Sequence, residues 1–476
     1  MSHSTPSQSK NRRQPLRWSL LALACAASTA VSSAGAADLL QAWQAAQQHD
    51  RSHAVARAAH AAAQPRRDQA AALWRPNVAL TAGAGVGTHD SEVRGAQFSA
   101  PGMGQSNGVN FSTSVHGGTA TRWALQASQP LYNPQRRVQQ QQLTTSADLA
   151  DVQWQAAQQA LMLRTAQQYF DVAVAQESLR VLDLQMAAVQ RTSDEVQERF
   201  TLGQLPVTDT HEARARLASL RAEQLAARSA LDIKRRQLAD STGLSDADLV
   251  VHLPTQRSPS AAPRTLDDWQ NDAAAHSPSI QQSQLALQVA RLEADKHSRR
   301  ASATLDLVAQ AGQERLSGSG DFGSGARNQS TSAQVGVQLT VPLFTGGMRS
   351  AKQEEALRLL DGAQAQLDAT REQVAQQVHA AWLGLSVGRE RVEALTQALQ
   401  ASQARADATQ LGHEVGDRTL LNLLNAQNDS ASARLALAQA RSQLLLERLR
   451  LAQSAGQLDE SALRSVNQQL EASDKP

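Results

Sequence analysis

The chain has 476 residues, and its 46 lysines and arginines are nearly balanced by 44 aspartates and glutamates, for a net charge of +2. This balance lacks the basic excess that binds nucleic acid, so nucleic acid is excluded as a partner. Aromatic residues make up only 3% of the chain. This disfavours several deep globular cores and, with the many good helix formers, favours long helices packed at close range. The single cysteine excludes a disulfide framework and a cysteine-based zinc site.

Residues 1–36 are typical of a secretory signal peptide. A basic region at 10–17 precedes an apolar run at 19–27, and three small residues at 34–36 offer a cleavage site. The apolar run is too short to form a transmembrane helix. Cys25 lies within it and would be removed with it; acylation of Cys25 is the alternative, but Ala22 stands where a lipoprotein signal has a large aliphatic residue.

The rest of the chain is internally duplicated. Short segments recur in the same order, and around the strand ends and turns they are separated by offsets of 212 and 213 residues. The matching segments are 39–43 with 266–269, 49–50 with 276–277, 129–134 with 341–346, and 202–203 with 415–416. A near-constant offset predicts two copies of one plan: a medium helix, two strands, a very long helix, a turn and a long helix.

Each copy contains two strand-like segments in which every second residue is apolar. These residues are Val78, Leu80, Ala82, Ala84 and Val86; Trp123, Leu125, Ala127 and Leu131; Leu305 and Leu307; and Val335, Val337, Leu339, Val341 and Leu343. Gly/Ser-rich stretches at 95–108 and 317–332 are predicted to be loops within each pair. With a signal peptide, this alternation favours outer-membrane strands, which face lipid on one side only. A half-buried soluble sheet is the alternative.

Two long stretches, 134–200 and 346–412, contain no proline after Pro134 and predict the very long helices. Asn133 is placed to cap the first, with Pro134 at its first position, and Thr345 is expected to cap the second. At 1.5 Å per residue each helix would be about 100 Å long.

Each long helix is predicted to end in a tight reversal. The reversals are expected at Gly203 and Gly416. The returning helices, 207–242 and 418–455, are about half as long. Each is expected to stack end to end with a medium helix, 38–73 or 265–300.

Four strands cannot close a barrel, and open strand edges in lipid are costly. The predicted fold is therefore mainly α with a small transmembrane β part: a homotrimeric 12-stranded β-barrel, four strands per chain, continued by a long periplasmic α-helical barrel. The chain is predicted to begin with a signal peptide (1–36). The first repeat then comprises a helix (37–75), a strand pair (76–132) and long helices (133–243), and an equatorial linker (244–264) follows it. The second repeat comprises the corresponding helix (265–300), strand pair (301–344) and long helices (345–456), and the chain ends in an equatorial or disordered tail (457–476).

The duplicated plan, the Pro-Leu-Phe-Thr-Gly-Gly motif at 342–347 and the turn Val-Gly-Asp-Arg-Thr at 415–419 resemble the TolC family of outer-membrane efflux and type I secretion channels. The resemblance covers about 38–456. It implies a homotrimer in outer-membrane lipid, with most of the chain in the periplasm. It also implies docking of a periplasmic membrane-fusion adaptor and an inner-membrane ABC or proton-driven transporter.

The resemblance also carries over to single residues near the reversals. Asp209 and Arg418 match two members of the latch that closes the periplasmic tip in the family, and His413 stands where the family has a tyrosine. Asn422 and Asn425 stand where the family has two aspartates that narrow the pore. Neutral amides predict weaker cation selectivity than carboxylates.

These latch residues also have simpler interpretations. Asp209 near a helix start also fits a purely local role at the helix N-terminus. His413 is more simply a solvated residue at a helix end, and a role in sensing pH remains a hypothesis.

No catalytic group of residues stands out in the sequence, so the chain is predicted not to be an enzyme and to use no cofactor. His49 and His53 have helical spacing but no third metal ligand, so no metal site is predicted. The favoured function is a passive exit duct for type I secretion of a protein. Multidrug or small-molecule efflux is the alternative. A trimeric coiled-coil surface protein and a periplasmic enzyme with helical arms are remote alternatives.

Overall fold

The computed structural model describes residues 38–102, 104–245, 251–254, 264–298, 303–320 and 323–471. The predicted signal peptide with Cys25, most of the linker at 244–264 and residues 472–476 lie outside the described residues. The first repeat comprises α1 (Leu39–His49), α2 (Arg51–Ala61), α3 (Ala63–Ala72), β1 (Asn77–Ala100), β2 (Gly104–Tyr132), α4 (Pro134–Thr201) and α5 (Val207–Thr242). The second comprises α6 (Leu266–His276), α7 (Pro278–Lys296), β3 (Thr304–Gly320), β4 (Gly323–Thr340), α8 (Met348–Glu414) and α9 (Leu420–Ser454), followed by α10 (Glu460–Glu471).

The two long helices, α4 and α8, have 68 and 67 residues and are each about 100 Å long. Asn133 caps α4 by accepting the Arg136 N–H at 3.0 Å, and Pro134 occupies the first turn, as predicted. None of the helices among the described residues has the length and apolar character needed to cross a bilayer.

Thr345 was expected to cap α8, and this prediction is wrong. The helix begins at Met348, and the residue before it, Gly347, has no side chain that could cap the helix. Gly346 and Gly347 have φ of +61° and +83°. These left-handed conformations, which glycine adopts at little cost, turn the chain out of the sheet and move the helix start past Thr345.

The medium helices were predicted to be continuous, and they are broken. Two of the breaks, at Asp50 and Ser277, lie at the residues that the duplication pairs, and their backbones are nearly identical: φ −64°, ψ 119° and φ −60°, ψ 122°. A further break, at Ala62, separates α2 from α3. Asp50 starts a new helix by accepting the His53 N–H at 2.7 Å, and Pro278 follows the break at Ser277. A capping side chain or a proline at the first position each restarts the helix.

The buried Asp50 carboxylate is also paired with Arg164 of α4 at 2.7 Å. Burial by itself would raise the pKa of Asp50. Hydrogen bonds from the Ser52 hydroxyl and the His53 N–H, together with the charge of Arg164, outweigh burial and hold this pKa below its usual range. Asp50 is therefore ionised at neutral pH and fixes α2 against α4.

The returning helices end against the breaks in the medium helices. α5 ends at Gly243 beside His49, and α9 is followed by Gly456 beside His276; both glycines have φ of +73°. A Cβ on Gly243 would lie 2.5 Å from the His49 ring, and one on Gly456 would lie 2.1 Å from the His276 carbonyl oxygen. Each repeat thus contains a joint of the same design, in which a glycine allows the helix ends to meet.

The main hydrophobic core lies near the middle of α4 and gathers α1, the end of α9 and α10 around it. Tyr169 and Phe170 are fully buried there, with their rings edge to face at 5.8 Å. The Tyr169 hydroxyl accepts the His252 N–H at 3.1 Å, and burial raises the pKa of Tyr169 to about 12. This contact holds the described part of the linker against the core.

The sequence predicts an equatorial or disordered tail at 457–476, and residues 460–471 of this tail form α10 within the core. Leu463, Val466 and Leu470 are buried. Asn467 accepts the Leu39 N–H at 3.1 Å and donates to the Asp38 carboxylate at 2.8 Å. The last helix of the described chain is thereby joined to the first.

The helices form a single layer. In its lower half, α4 lies between α5 and α9, and α8 packs on the other side of α9. In its upper half, α3, α4, α7 and α8 follow in the same order. One flank of the layer is therefore formed by α8, and the opposite flank by α5 with the helices α1–α3.

The four strands form one antiparallel sheet in the order β1-β2-β3-β4. The predicted loops at 95–108 and 317–332 are wrong, since β1 runs to Ala100, β2 begins at Gly104, and the β3–β4 pairing continues to Gly320–Gly323. Ladder hydrogen bonds come from the backbone, so glycine and serine sustain the pairing without apolar side chains. β4 ends at Thr340, so Val341 and Leu343 lie beyond the strand in which they were predicted.

The shared joint predicts unequal effects of two matched substitutions. Gly243→Ala and Gly456→Ala both force an alanine into a left-handed conformation, at about 1 kcal/mol. The methyl group of Gly456→Ala also meets a backbone carbonyl that cannot move aside, whereas that of Gly243→Ala meets a histidine ring that can. We expect Gly456→Ala to lower the Tm, measured by circular dichroism in detergent, by clearly more than Gly243→Ala. Equal shifts in Tm would show that the His276 contact is not rigid.

Candidate functional site

The two sides of the sheet differ sharply in polarity. The ladder places Val78, Ala127, Ala309 and Val335 in one row, and Leu80, Leu125, Ala311 and Ala333 in the next, all on the same side. We call this side the apolar face. Val335 is 76% exposed and Leu80 is 68% exposed, so the chain itself leaves this face uncovered.

The opposite side, which we call the polar face, carries amides at the same level. Gln126, Gln310 and Gln334 lie side by side in the row that starts at Ala79. Nearer the strand tips, Arg122 of β2 lies opposite Glu314 of β3 in the ladder. This combination of one apolar and one polar face is that of strands between lipid and water.

Two aromatic side chains bound the apolar face. Trp123 pairs with Ala82 and Gln313 near its upper limit, and Tyr132 pairs with Leu305 at its lower limit. Both are about half exposed. The distance from Trp123 to Tyr132, nine residues further along β2, is about 30 Å along a strand, which fits a tilted strand crossing an apolar band of ~25 Å flanked by aromatic girdles.

The sheet is open at both sides. Among the described residues, β1 and β4 each have a partner on one edge only. Their other edges present rows of backbone N–H and C=O groups without ladder partners, and such edges pair readily with further strands.

At the far end of the helices, the two predicted reversals are built alike. Gly203 and Gly416 have φ of +71° and +80°. The Gln204 N–H donates to the Arg199 carbonyl at 2.9 Å, and the Asp417 N–H donates to the Gly412 carbonyl at 2.8 Å. Both reversals thus end a long helix with the same hydrogen bond and the same left-handed glycine.

Asn422 and Asn425 lie in the first turns of α9 on its exposed side. Thr419 caps this helix by accepting the Asn422 N–H at 3.2 Å. Leu423 and Leu424 are buried, and Leu424 packs with Leu420 against α4 and α5. Both amide side chains therefore point away from the helix layer, one turn apart.

Two neighbours of these asparagines were missed by the sequence analysis. Asp429 continues the exposed row one turn further and is hydrogen-bonded to Arg405 of α8. Asn428 accepts hydrogen bonds from Gln185 of α4, at 3.3 Å, and from Arg216 of α5. The helical spacing from Asn425 to Asp429 is visible in the sequence, but the partners lie far along the chain.

The three predicted latch residues do not meet at one point. His413 Nδ1 donates to the Arg418 carbonyl at 3.1 Å, since a carbonyl can only accept. The Arg418 guanidinium lies 3.8 Å from the Asp417 carboxylate. Asp209 lies in the first turn of α5, at the other reversal, with the Thr208 hydroxyl at 3.5 Å. Within the described chain, the ion pair of Arg418 is thus with Asp417.

Comparison with known proteins agrees with this architecture. A family model described as outer membrane efflux protein matches residues 42–244 and 269–457, which leaves out the linker and most of the tail. The chain is 28% identical to outer membrane protein TolC of Escherichia coli over 375 residues, 78% of this chain and 74% of TolC. It is 26% identical to the alkaline protease secretion protein AprF of Pseudomonas aeruginosa over 344 residues, 72% of this chain and 71% of AprF.

Among solved structures, the Campylobacter jejuni CmeC outer membrane channel superposes with a TM-score of 0.70 at 16% identity, covering 91% of this chain and 89% of CmeC. At that identity the likeness shows the fold alone. The two matched segments of the family model coincide with the two repeats and together span most of the sequence. The chain is therefore a member of the outer membrane efflux protein family, a TolC-type channel protein of the outer membrane whose helices lie largely in the periplasm.

Proposed function

We propose that three copies of the chain form a passive exit duct for type I secretion of a protein. The observation that carries the proposal is the open sheet, whose apolar face is bounded by aromatic residues and whose two edges are unpaired. In a bilayer each unpaired backbone group costs several kcal/mol. Pairing β1 of one copy with β4 of the next satisfies both edges, and three copies give a closed barrel of twelve strands.

The helix layer supports the same arrangement. Its two flanks carry exposed apolar side chains: Leu359 and Val387 on α8, Leu225 and Ile233 on α5, and Val55 on α2. Different residues line the two flanks, so each flank of one copy would contact the other flank of its neighbour. A head-to-tail contact of this kind closes into a ring, and the ring of helices would continue the barrel into the periplasm.

A duct of this kind needs no chemistry of its own, and we propose that it is not an enzyme. Energy and selection would come from an inner-membrane ABC or proton-driven transporter, joined to the duct by a periplasmic membrane-fusion adaptor. Protein cargo is favoured because AprF, a relative over most of its length, is named for protease secretion. Small-molecule efflux is the second candidate, since the family itself is described by efflux.

Deletion of the gene in the bacterium that carries it distinguishes protein secretion from efflux of small molecules. We expect one or a few proteins to disappear from the culture medium, measured by quantitative mass spectrometry, and to return with a plasmid-borne copy. Minimum inhibitory concentrations of drugs and detergents should stay unchanged. An unaltered set of secreted proteins together with lowered inhibitory concentrations would instead establish efflux of small molecules.

The exposed asparagines predict how the pore selects ions. Under the trimer proposal, Asn422 and Asn425 of three chains form neutral rings at the tip. We expect the double variant Asn422→Asp, Asn425→Asp to increase the preference for cations in planar bilayers, because carboxylate rings attract cations. The matched double lysine variant should shift the preference towards anions. If the reversal potential is the same in all three proteins, these residues do not line the constriction.

The separate positions of Asp209 and Arg418 within one chain predict that any latch between them joins neighbouring chains. We expect Asp209→Arg and Arg418→Asp each to raise single-channel conductance, because each removes the attraction and adds a repulsion. The charge-swapped double variant should return conductance towards the original value. Additive increases in the double variant would show that the two side chains do not interact and that Arg418 acts only locally with Asp417.

A further inference from the structure

The first hairpin extends well beyond the second. β2 pairs with β3 only as far as His116 and Ser319, whereas β1 and β2 remain paired out to Ala100 and Gly104. Past that level, residues 89–100 and 104–115 form a two-stranded ribbon, which we call the distal ribbon. Its strands of twelve residues are about 40 Å long. Two-stranded hairpins are only marginally stable alone in water, so the distal ribbon needs a surface to pack against.

The two faces of the sheet continue into the distal ribbon. On β1, positions on the polar face follow every second residue from Gly87 to Val93. On β2, one extra residue at Gly117 (φ +61°) lies between the pairs formed by Gly118 and Val115. After this bulge, Val115 and Phe111 come onto the same side as Val93. The polar face of the sheet and this side of the ribbon are therefore one continuous surface.

The composition of that surface changes along the strands. In the four-stranded sheet it carries glutamines, and at the base of the distal ribbon it carries His89, Ser91 and Thr113. Beyond these residues Val93 is paired with Phe111, and Ala96 with Val109. Val93 is 39% exposed and Phe111 is 46% exposed, although both are apolar.

The other side of the ribbon has the opposite character. It pairs Asp90 with Ser114 and Glu92 with Ser112. Arg94 is bonded to Glu92 at 2.8 Å. The charged side of the ribbon thus continues the side of the sheet that faces lipid lower down, and it is suited to water and not to lipid.

The burial of neighbouring residues shows where the apolar surface begins. Leu316, on the polar face of β3, is 6% exposed, and Val115 is 5% exposed. Leu316 occupies space left by Gly118, where a Cβ would lie 3.0 Å from its methyl group. Leu316 and Val115 therefore form a buried apolar base where the ribbon leaves the sheet. The pair Ser91–Thr113 separates this base from the apolar patch of Val93, Phe111, Ala96 and Val109, which the chain itself leaves at least partly exposed.

We infer that the distal ribbons of three copies pack their apolar sides together and close the outer mouth of the channel. This inference rests on the proposed trimer, in which the polar face lines the lumen. A barrel of twelve strands, 4.8 Å apart and tilted by ~40°, is about 25 Å across. Ribbons of about 40 Å that present an apolar surface towards the axis are long enough to meet there. The contact is an apolar constriction that excludes water and ions and parts when cargo passes.

The direction in which each apolar patch faces identifies its occupant as the ribbon of a neighbouring copy. The patch continues the lumenal surface, so lipid and the outer solvent face the charged side instead. It also follows β1, the strand whose free edge forms the proposed contact between copies. Both observations place the next copy, and no other partner, opposite Phe111.

Cysteine substitution tests this contact directly. The only native cysteine is Cys25, within the predicted signal peptide. Phe111→Cys and Ser112→Cys form a matched pair on opposite sides of one ribbon. Treatment of outer membranes with a short bismaleimide should join Phe111→Cys chains into dimers on denaturing gels and leave Ser112→Cys chains monomeric. Equal yields from the two variants, or no product from Phe111→Cys, would overturn the inference.

A second readout measures closure itself. Gln126→Cys places a thiol on the polar face below the mouth, and a membrane-impermeant maleimide added to whole cells reaches it only from outside. Adding Phe111→Asp should speed labelling about tenfold, which corresponds to ~1.4 kcal/mol in the opening equilibrium. Adding Ser112→Asp should leave the rate unchanged. Identical rates in all three proteins would show that the mouth is open at rest.

Light scattering on the detergent-purified protein separates this inference from the function proposed above. If the chain is not a trimer, the duct proposal fails and the ribbons have no neighbours. If the chain is a trimer but Phe111→Cys does not cross-link, the duct proposal stands and the closure of the outer mouth is wrong.

Discussion

Inside a bilayer no water is present to satisfy backbone N–H and C=O groups, and each one left unpaired costs several kcal/mol. The four-stranded sheet carries two rows of such groups, along β1 and β4, and much of the molecule is arranged around them. The helices begin directly below the strands, so in the proposed trimer the way the strand edges pair also decides how the flanks of α8 and α5 meet. In that trimer the alternation of the strands turns the polar face of the sheet towards the lumen, where water would pass.

The parts of this architecture with strict local periods could be predicted from the sequence. Apolar residues at every second position identified the strands, and the absence of proline over more than sixty residues identified α4 and α8. The repeated glycines marked both reversals. The prediction failed where an element depends on the backbone alone. Gly/Ser-rich segments read as loops because they lack apolar side chains, yet their backbones complete the ladder between β1 and β2. Gly346 and Gly347 likewise moved the start of α8 away from Thr345.

At the tip, sequence reasoning found the residues but not their partners. Asn422 and Asn425 are one helical turn apart, and their exposure on one side of α9 follows from the buried leucines between them. The bonds from Asn428 to Gln185 and Arg216, and from Asp429 to Arg405, join helices that are distant in sequence. They depend on the order of the helices in the layer, which no local pattern specifies. They also oppose an outward movement of α9 alone, because its first turns are bonded to helices on both sides.

The contact between Leu39 and Asn467 has a consequence for how the chain is made. These residues are 428 positions apart, so the core around the middle of α4 stays incomplete until almost the whole described chain has crossed the inner membrane. Before that moment α1 has no partner for its first backbone N–H, and the apolar surface of α10 is missing from the core. A chain that is still being exported therefore cannot complete this core. In the proposed trimer, late completion of the core would delay association with other copies until translation and export are nearly over.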